Sequence, residues 1–476
     1  MDALAFEHHL LSPTGRGRVP TDAFTAEVGG GACCDTVRVA LSTDGERITD
    51  AGFEADGCGA ATAAGSAAVS LVRGRTLLDA ARIGPREIAA ELGGLSPGKL
   101  HAAEVAGDAL ARALGAAARF AGRAAAPHDH GRPRVLVAMS GGVDSAVAAL
   151  LCARDGDAVA VTLELWGDPE NDAERSCCSA SAVAQARRLA HDLAVPHFTL
   201  DLRAEFRAGV VEPFIAGYAA GETPNPCVGC NGHVRLDAML ALAERLGCSA
   251  LATGHYARVQ DGLLRAAADP AKDQTYMLAA LSPGSLARMR FPLGELTKPE
   301  VRALAAEAGL PVAGKRDSQD LCFLAGTSRS RFLERHGGVR PRPGEVVDPA
   351  GTVLAEHDGH ERFTVGQRRA IGVTGQEPLY VLEKDAARNR IVVGPRSALE
   401  TRRVRVRGAR LHRDAAYVDR VKLRYRQSAM AARVVEEASR RLTLELEEPV
   451  VGAAPGQLAC LMDGEVVVGW GTIARA

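Results

Sequence analysis

Between Arg134 and about Ser330 the chain alternates continuous apolar runs with helix-period segments. RVLVAM (134–139) leads into an Ala/Leu-rich stretch, then come AVAVTLELW (158–166), ASAVAQARRLAHDL (180–193), PHFTLDL (196–202) and SALATGHYARV (249–259). Strands apolar on both faces, separated by helices, predict a doubly wound parallel α/β sheet. Ahead of it, residues 1–120 mix short alternating segments (Thr36 to Leu41, Arg47 to Phe53) with Ala-rich helical stretches, an α+β pattern. Residues 121–133 (AGRAAAPHDHGRP) have no apolar period and are expected as a linker. Past Ser330, Pro/Gly punctuation separates short alternating runs such as RIVVG, RVKLRYR, RLTLEL and GEVVVGWGTI. These predict two small β domains, at 331–398 and 399–476.

Composition sharpens this picture. The 476 residues are 47% hydrophobic and 24% charged, enough for several cores and unlike a disordered chain. Aromatics are only 4%, so recognition of a nucleic acid would lean on Arg and backbone groups rather than stacking platforms. The net charge of -1 hides segregation: residues 1–120 hold 11 Lys/Arg against 15 Asp/Glu, whereas 402–426 hold ten Lys/Arg against two acids. That stripe fits either a phosphate-backbone partner or a solvated strand face. No apolar run spans a membrane and no signal-peptide pattern opens the chain, so a cytoplasmic protein is expected. In a reducing compartment the 11 cysteines point to catalysis, persulfide chemistry or metal binding.

The strand at 135–139 runs into Ser140-Gly141-Gly142-Val143-Asp144-Ser145 and then a helix. Paired glycines let backbone N–H groups close on phosphate oxygens, two serines add hydroxyls, and the helix start adds a positive dipole end. No Walker-type G-x-x-x-x-G-K-[ST] occurs. The string resembles the PP-loop of the ATP pyrophosphatase superfamily, which splits ATP into AMP and pyrophosphate while adenylating an oxygen. That resemblance implies ATP and Mg2+, with Asp144 as the acidic partner of the metal. It also assigns Ala138, Met139, Ser140, Gly141, Gly142, Val143, Asp144 and Ser145 to the nucleotide, with Leu163 and Gly254 beside it.

Three further strings follow: Thr223-Pro224-Asn225-Pro226-Cys227-Val228-Gly229-Cys230, then Thr253-Gly254-His255 with Lys272-Asp273-Gln274, and Asp317-Ser318-Gln319-Asp320-Leu321-Cys322-Phe323. With RYRQ at 424–427 and APGQ at 454–457, they resemble the tRNA-specific 2-thiouridylase family from about Arg134 to the last residue. The resemblance implies a C-terminal β-barrel and sulfur insertion at carbon 2 of the wobble uridine in the anticodon stem-loop. Adenylation turns a poor leaving oxygen into a good one, and a thiolate or persulfide then attacks. Cys322 would carry the persulfide, Cys230 would close a disulfide with it, and a cysteine desulfurase or sulfur relay would supply the sulfur. Asn225, Pro226 and Cys227 would face the base. His255, Lys272, Asp273, Gln274, Arg424, Tyr425 and Gln457 would meet the tRNA, joined by Arg402, Arg403, Arg405, Arg407, Arg410 and Arg426.

Many relatives carry Asp where Cys227 stands. With Cys227, Cys230 and Cys322, three thiolates could hold a four-iron cluster with one open iron, or zinc with a fourth ligand. Cluster-dependent thiolation is therefore expected alongside the persulfide route. Cys177 and Cys178 open the next helix, and Cys152, Cys248 and Cys460 read as core. In residues 1–120, GGGACCD (29–35), DGCG (56–59) and Lys99-Leu100-His101 resemble the NifU/IscU iron–sulfur scaffold, matching Cys33, Asp35, Cys58 and His101. Ala102 stands where the last cysteine belongs, so zinc or a two-iron cluster on mixed donors is the expectation. The main alternative is an iron–sulfur or sulfur carrier whose PP-loop domain has another specificity.

Overall fold

The computed structural model describes residues 3–29, 34–121, 132–168, 170, 179–316, 321–373 and 377–475. Cys33, Cys177, Cys178 and the string 317–320 lie outside them, as does most of the expected linker.

The central sheet has five parallel strands in the order Met289–Arg290, Ala250–Thr253, Arg134–Ala138, Asp157–Glu164, His197–Asp201. Successive connections step outward from Arg134–Ala138 on one side and then return to its other side. The order therefore reverses between Arg134–Ala138 and Ala250–Thr253, and such a reversal leaves a crevice at the strands' carboxyl ends. Side-chain alternation divides the burial. Val135 and Val137 join a core with helices Val143–Asp155, Ala180–Asp192 and Lys298–Glu307, while Leu136 joins a core with Leu236–Arg245 on the opposite face.

That second core does not stop at the sheet. It runs without a break into the N-terminal domain, an antiparallel sheet Phe24–Gly29, Thr36–Thr43, Ile48–Asp56 packed with helices. Helix Leu100–Phe120 lies between the two sheets, against Phe24–Gly29 and Thr36–Thr43 on one side and edge strand His197–Asp201 on the other. Its Ala/Gly composition permits this. A Cβ on Gly115 would sit 1.8 Å from the Thr199 carbonyl oxygen. Ion pairs edge the junction: Arg187 with Asp108, Arg188 with Glu104 at 2.5 Å, Arg112 with Glu164 at 2.6 Å, and Arg119 with Glu205. Backbone joins too, His197 N–H donating to Ala81 O at 2.9 Å.

The expected strand 249–259 is broken. Ala250–Thr253 stays in the parallel sheet, whereas Arg258–Gln260 and Leu263–Arg265 form a hairpin that extends the C-terminal sheet through Arg265 and Val466. Gly254 allows the departure, because the chain must pass the PP-loop too closely for a side chain. Six strands between Glu400 and Ile473 form a closed barrel, sealed by pairing of Glu400–Leu411 with Val466–Ile473. A four-stranded sheet, Gly344–Val347, Val353–His357, Tyr380–Asp385 and Arg390–Gly394, precedes it. No helix among the described residues is long and apolar enough to cross a membrane.

Candidate functional site

A cleft of about 1250 Å³ opens at the reversal point and reaches the barrel. Its inner wall is the PP-loop. Ser145 holds the turn closed, its Oγ donating to Gly142 O at 3.0 Å and accepting from Ser140 N at 3.1 Å, while Gly141 takes φ +70°. Helix Val143–Asp155 then starts with its N-terminal amides toward the cavity, the arrangement that binds anions. Ala138, Met139, Ser140, Gly142, Val143, Asp144, Ser145, Leu163 and Gly254 all line the cleft. A Cβ on Gly254 would lie 2.7 Å from Ser145 N, so this strand end abuts the loop.

Asp144 has partners that the sequence did not disclose. Lys298 Nζ donates to its two oxygens at 2.7 and 2.8 Å, and Tyr256 OH to Oδ1 at 2.9 Å. Lys298 is buried at the first position of helix Lys298–Glu307. A cation there runs against the helix dipole, which is the one signal that could have marked it. Oδ2 keeps a lone pair toward the cleft. One carboxylate oxygen beside a phosphate cradle suits a magnesium ion held chiefly by phosphate and water. Lys315, also unforeseen, lines the cleft and donates to Gly141 O at 3.0 Å and Gln185 Oε1 at 2.7 Å.

The outer wall contains His255, Lys272, Asp273, Gln274, Tyr425 and Arg426. His255 accepts or donates at Thr253 Oγ1 over 2.8 Å, and burial, aided by Arg235, pushes its imidazole down to about 3. It is neutral at physiological pH. Two residues of the expected RNA-facing set are turned inward. Asp273 accepts from Thr275 Oγ1 at 2.8 Å and Lys422 Nζ at 3.2 Å, and Gln274 Oε1 accepts from Tyr256 N at 2.9 Å. Gln457 donates to Thr223 O at 2.6 Å and Arg424 to Gly452 O, holding the barrel on the chain before Cys227. On strand Glu400–Leu411, Arg402, Arg403, Arg405, Arg407 and Arg410 point outward between buried Val404 and Val406. Arg402 bonds Glu447 O and Arg407 pairs with Glu222 at 2.7 Å, so the stripe is partly engaged within the protein.

The three cysteines stand outside the cleft lining. Asn225 caps helix Pro226–Gly229, its Oδ1 accepting from Cys227 N at 3.1 Å, and Cys230 opens a π-helical turn, a feature common at functional sites. Cys230 is buried, while Cys227 and Cys322 are half-buried. Phe323, next to Cys322, packs on Phe206 and Phe214, whose helical segment also packs on the Cys227–Cys230 turn. Cys152, Cys248 and Cys460 are core thiols, pushed by burial up to about 11, 12 and 12.

The N-terminal domain holds a second constellation. Among the described residues, Asp35, Cys58 and His101 form the group of ligand atoms converging within 4.8 Å. Asp35 Oδ1 accepts from Cys58 N at 2.9 Å, and Oδ2 lies 3.2 Å from Cys58 Sγ and 3.1 Å from His101 Nε2. Sulfur, nitrogen and carboxylate donors at one point fit zinc or iron. Ala102 is wholly buried, so it offers the site nothing.

A parallel sheet with an anion cradle at its reversal point, fused to a three-donor scaffold pocket, defines a nucleotide-using protein joined to a metal or sulfur carrier. Residues 133–326 match the model of the tRNA methyl transferase HUP domain, 5–125 the NifU-like N terminal domain, 330–395 the tRNA methyl transferase PRC-barrel domain and 403–473 the aminomethyltransferase beta-barrel domain. The chain is 45% identical over 480 residues to the bifunctional protein NifU/MnmA of Rubrobacter xylanophilus, covering 98% of this chain and 97% of that one. It is 40% identical to the tRNA-specific 2-thiouridylase MnmA of Geobacter metallireducens and 43% to that of Rhodospirillum centenum, over 72% and 74% of this chain and 98% and 93% of theirs. The chain belongs to the fused NifU/MnmA family.

Proposed function

We propose that the protein is an ATP-dependent tRNA 2-thiouridylase with its own sulfur or cluster scaffold. The observation that carries this reading is the single cleft joining a phosphate cradle to the barrel, wide enough for a nucleotide and an extruded base together. The uracil oxygen attacks the α-phosphate of ATP, pyrophosphate leaves, and the base becomes an O-adenylate. A terminal persulfide sulfur on Cys322 attacks carbon 2 and AMP departs. The Cys230 thiolate then attacks the sulfur of Cys322, forming a disulfide, expelling the thiocarbonyl base and leaving the disulfide for an external thiol reductant. The amides of 140–145 hold the phosphates, Asp144 offers an oxygen to magnesium, and neutral His255 approaches the base as a hydrogen-bonding group.

A second reading, a four-iron cluster on Cys227, Cys230 and Cys322, is supported by Cys227 and Cys230 standing one helical turn apart. Such a cluster would supply sulfide for transfer. A cysteine desulfurase or relay protein is the proposed source of sulfur, entering through Asp35, Cys58 and His101, with Cys33 completing that set.

The test is mass spectrometry of wobble uridine in a deletion strain complemented with variants. Cys322→Ser and Cys230→Ser should each abolish the 2-thio group. Full thiolation by either would remove the proposed cysteine chemistry. Anaerobic reconstitution of Cys227→Ala separates the two routes, because an active, iron-free enzyme leaves only the persulfide.

A further inference from the structure

We propose that Lys315 binds the β- and γ-phosphates of ATP, and that its contacts in this structure mark where those phosphates will sit. Among the described residues its partners are neutral oxygens alone, the Gly141 carbonyl and the Gln185 amide. Arg188 and Arg316 line the same part of the cleft. An ammonium on a backbone carbonyl of an anion cradle has a stronger partner waiting in any phosphate that enters.

Position supports the assignment. Gly141 lies at the turn between strand and helix, and its positive φ turns the carbonyl away from the helix start. A Cβ there would meet Ala182 O at 2.8 Å, so helix Ala180–Asp192 closes directly over the loop. Ser181, Gln185 and Arg188, at helical spacing, present one face of that helix to the cavity. Lys315 thus faces the loop from the far wall while the amides of 142–145 face it from beneath. A pyrophosphate between them would be held from two sides. Lys298, by contrast, is committed to Asp144 and acts by setting the orientation of that carboxylate.

This inference rests on the cleft being the ATP site, and the experiment separates the two. Equilibrium binding of ATP, pyrophosphate and AMP is measured on the full-length chain and on Lys315→Met and Lys315→Arg. Loss of one charge-assisted contact should weaken ATP and pyrophosphate by about tenfold or more, with AMP unchanged and Lys315→Arg intermediate. Unchanged thermal unfolding and tRNA affinity would accompany that result. ATP binding by Lys315→Met equal to that of the unaltered chain overturns the inference and leaves the cleft assignment standing. So does equal loss of ATP and AMP. Failure of the unaltered chain to bind ATP removes both.

Discussion

Asp35 accepts the Cys58 amide, lies against the thiol and meets His101, and these contacts hold its carboxyl below the usual carboxylate value. The backbone bond from Cys58 is the largest cause. Because the folded value is depressed, the stabilisation is present above the ordinary value of 3.8 and is lost as the pH falls through the folded one. Asp35→Ala should remove metal from the N-terminal domain, read as iron or zinc per chain after anaerobic loading. Retention of the full complement would exclude Asp35 as a ligand. At the other site, Lys298→Met leaves Asp144 without its counter-charge. ATP-dependent pyrophosphate release should fall by about tenfold, with Lys298→Arg recovering part of it. The cradle was legible from SGGVDS, as were Leu163 and Gly254. Lys298 and Lys315 were not, because they arrive from more than 150 residues downstream and carry no motif. Asp273, Gln274 and Gln457 show the opposite failure. A polar residue in a conspicuous string can face inward, and only coordinates reveal which way it turns.

At the level of elements, the parallel strands were readable from their unbroken apolar runs, and the helix ending at Phe120 from its periodicity. What the sequence could not tell was whose sheet that helix covers. An Ala/Gly-rich helix buried on two faces signals close packing on both sides, but periodicity does not name the neighbours. Here one neighbour is the strand His197–Asp201 of the other domain. Gly115→Val tests this contact. The side chain has no room against Thr199 O, and overpacking should cost about 1–3 kcal/mol, with the two domains unfolding in separate transitions. A single unshifted transition would show that the contact is dispensable. Arg112→Ala acts on the same junction by stranding buried Glu164, a loss of about 3–5 kcal/mol by analogy with broken buried pairs.

For the whole molecule, acid should loosen the junction first. Burial, with Arg187 and His191 beside it, holds His197 well below the ordinary histidine value of 6.5, and burial with Arg187 lowers His191. Thr162, Ala81, Glu87 and Asp192 complete their surroundings. Both histidines fold neutral, so stability present above 6.5 is lost as the pH drops below it. Thermal unfolding between pH 7.5 and 5 should show a falling midpoint, reduced in slope by His197→Gln. On the barrel, tRNA affinity should decline steeply with salt, by a slope that shrinks when Arg403 and Arg405 are neutralised together. Helix Leu100–Phe120 carries His101 at one end and closes the nucleotide domain along its length. A sulfur store built this way cannot be exchanged for another without peeling the roof from the machine it feeds. Fusion here is architecture as much as convenience, and the front third of the chain is bound to be inherited, folded and degraded with the rest.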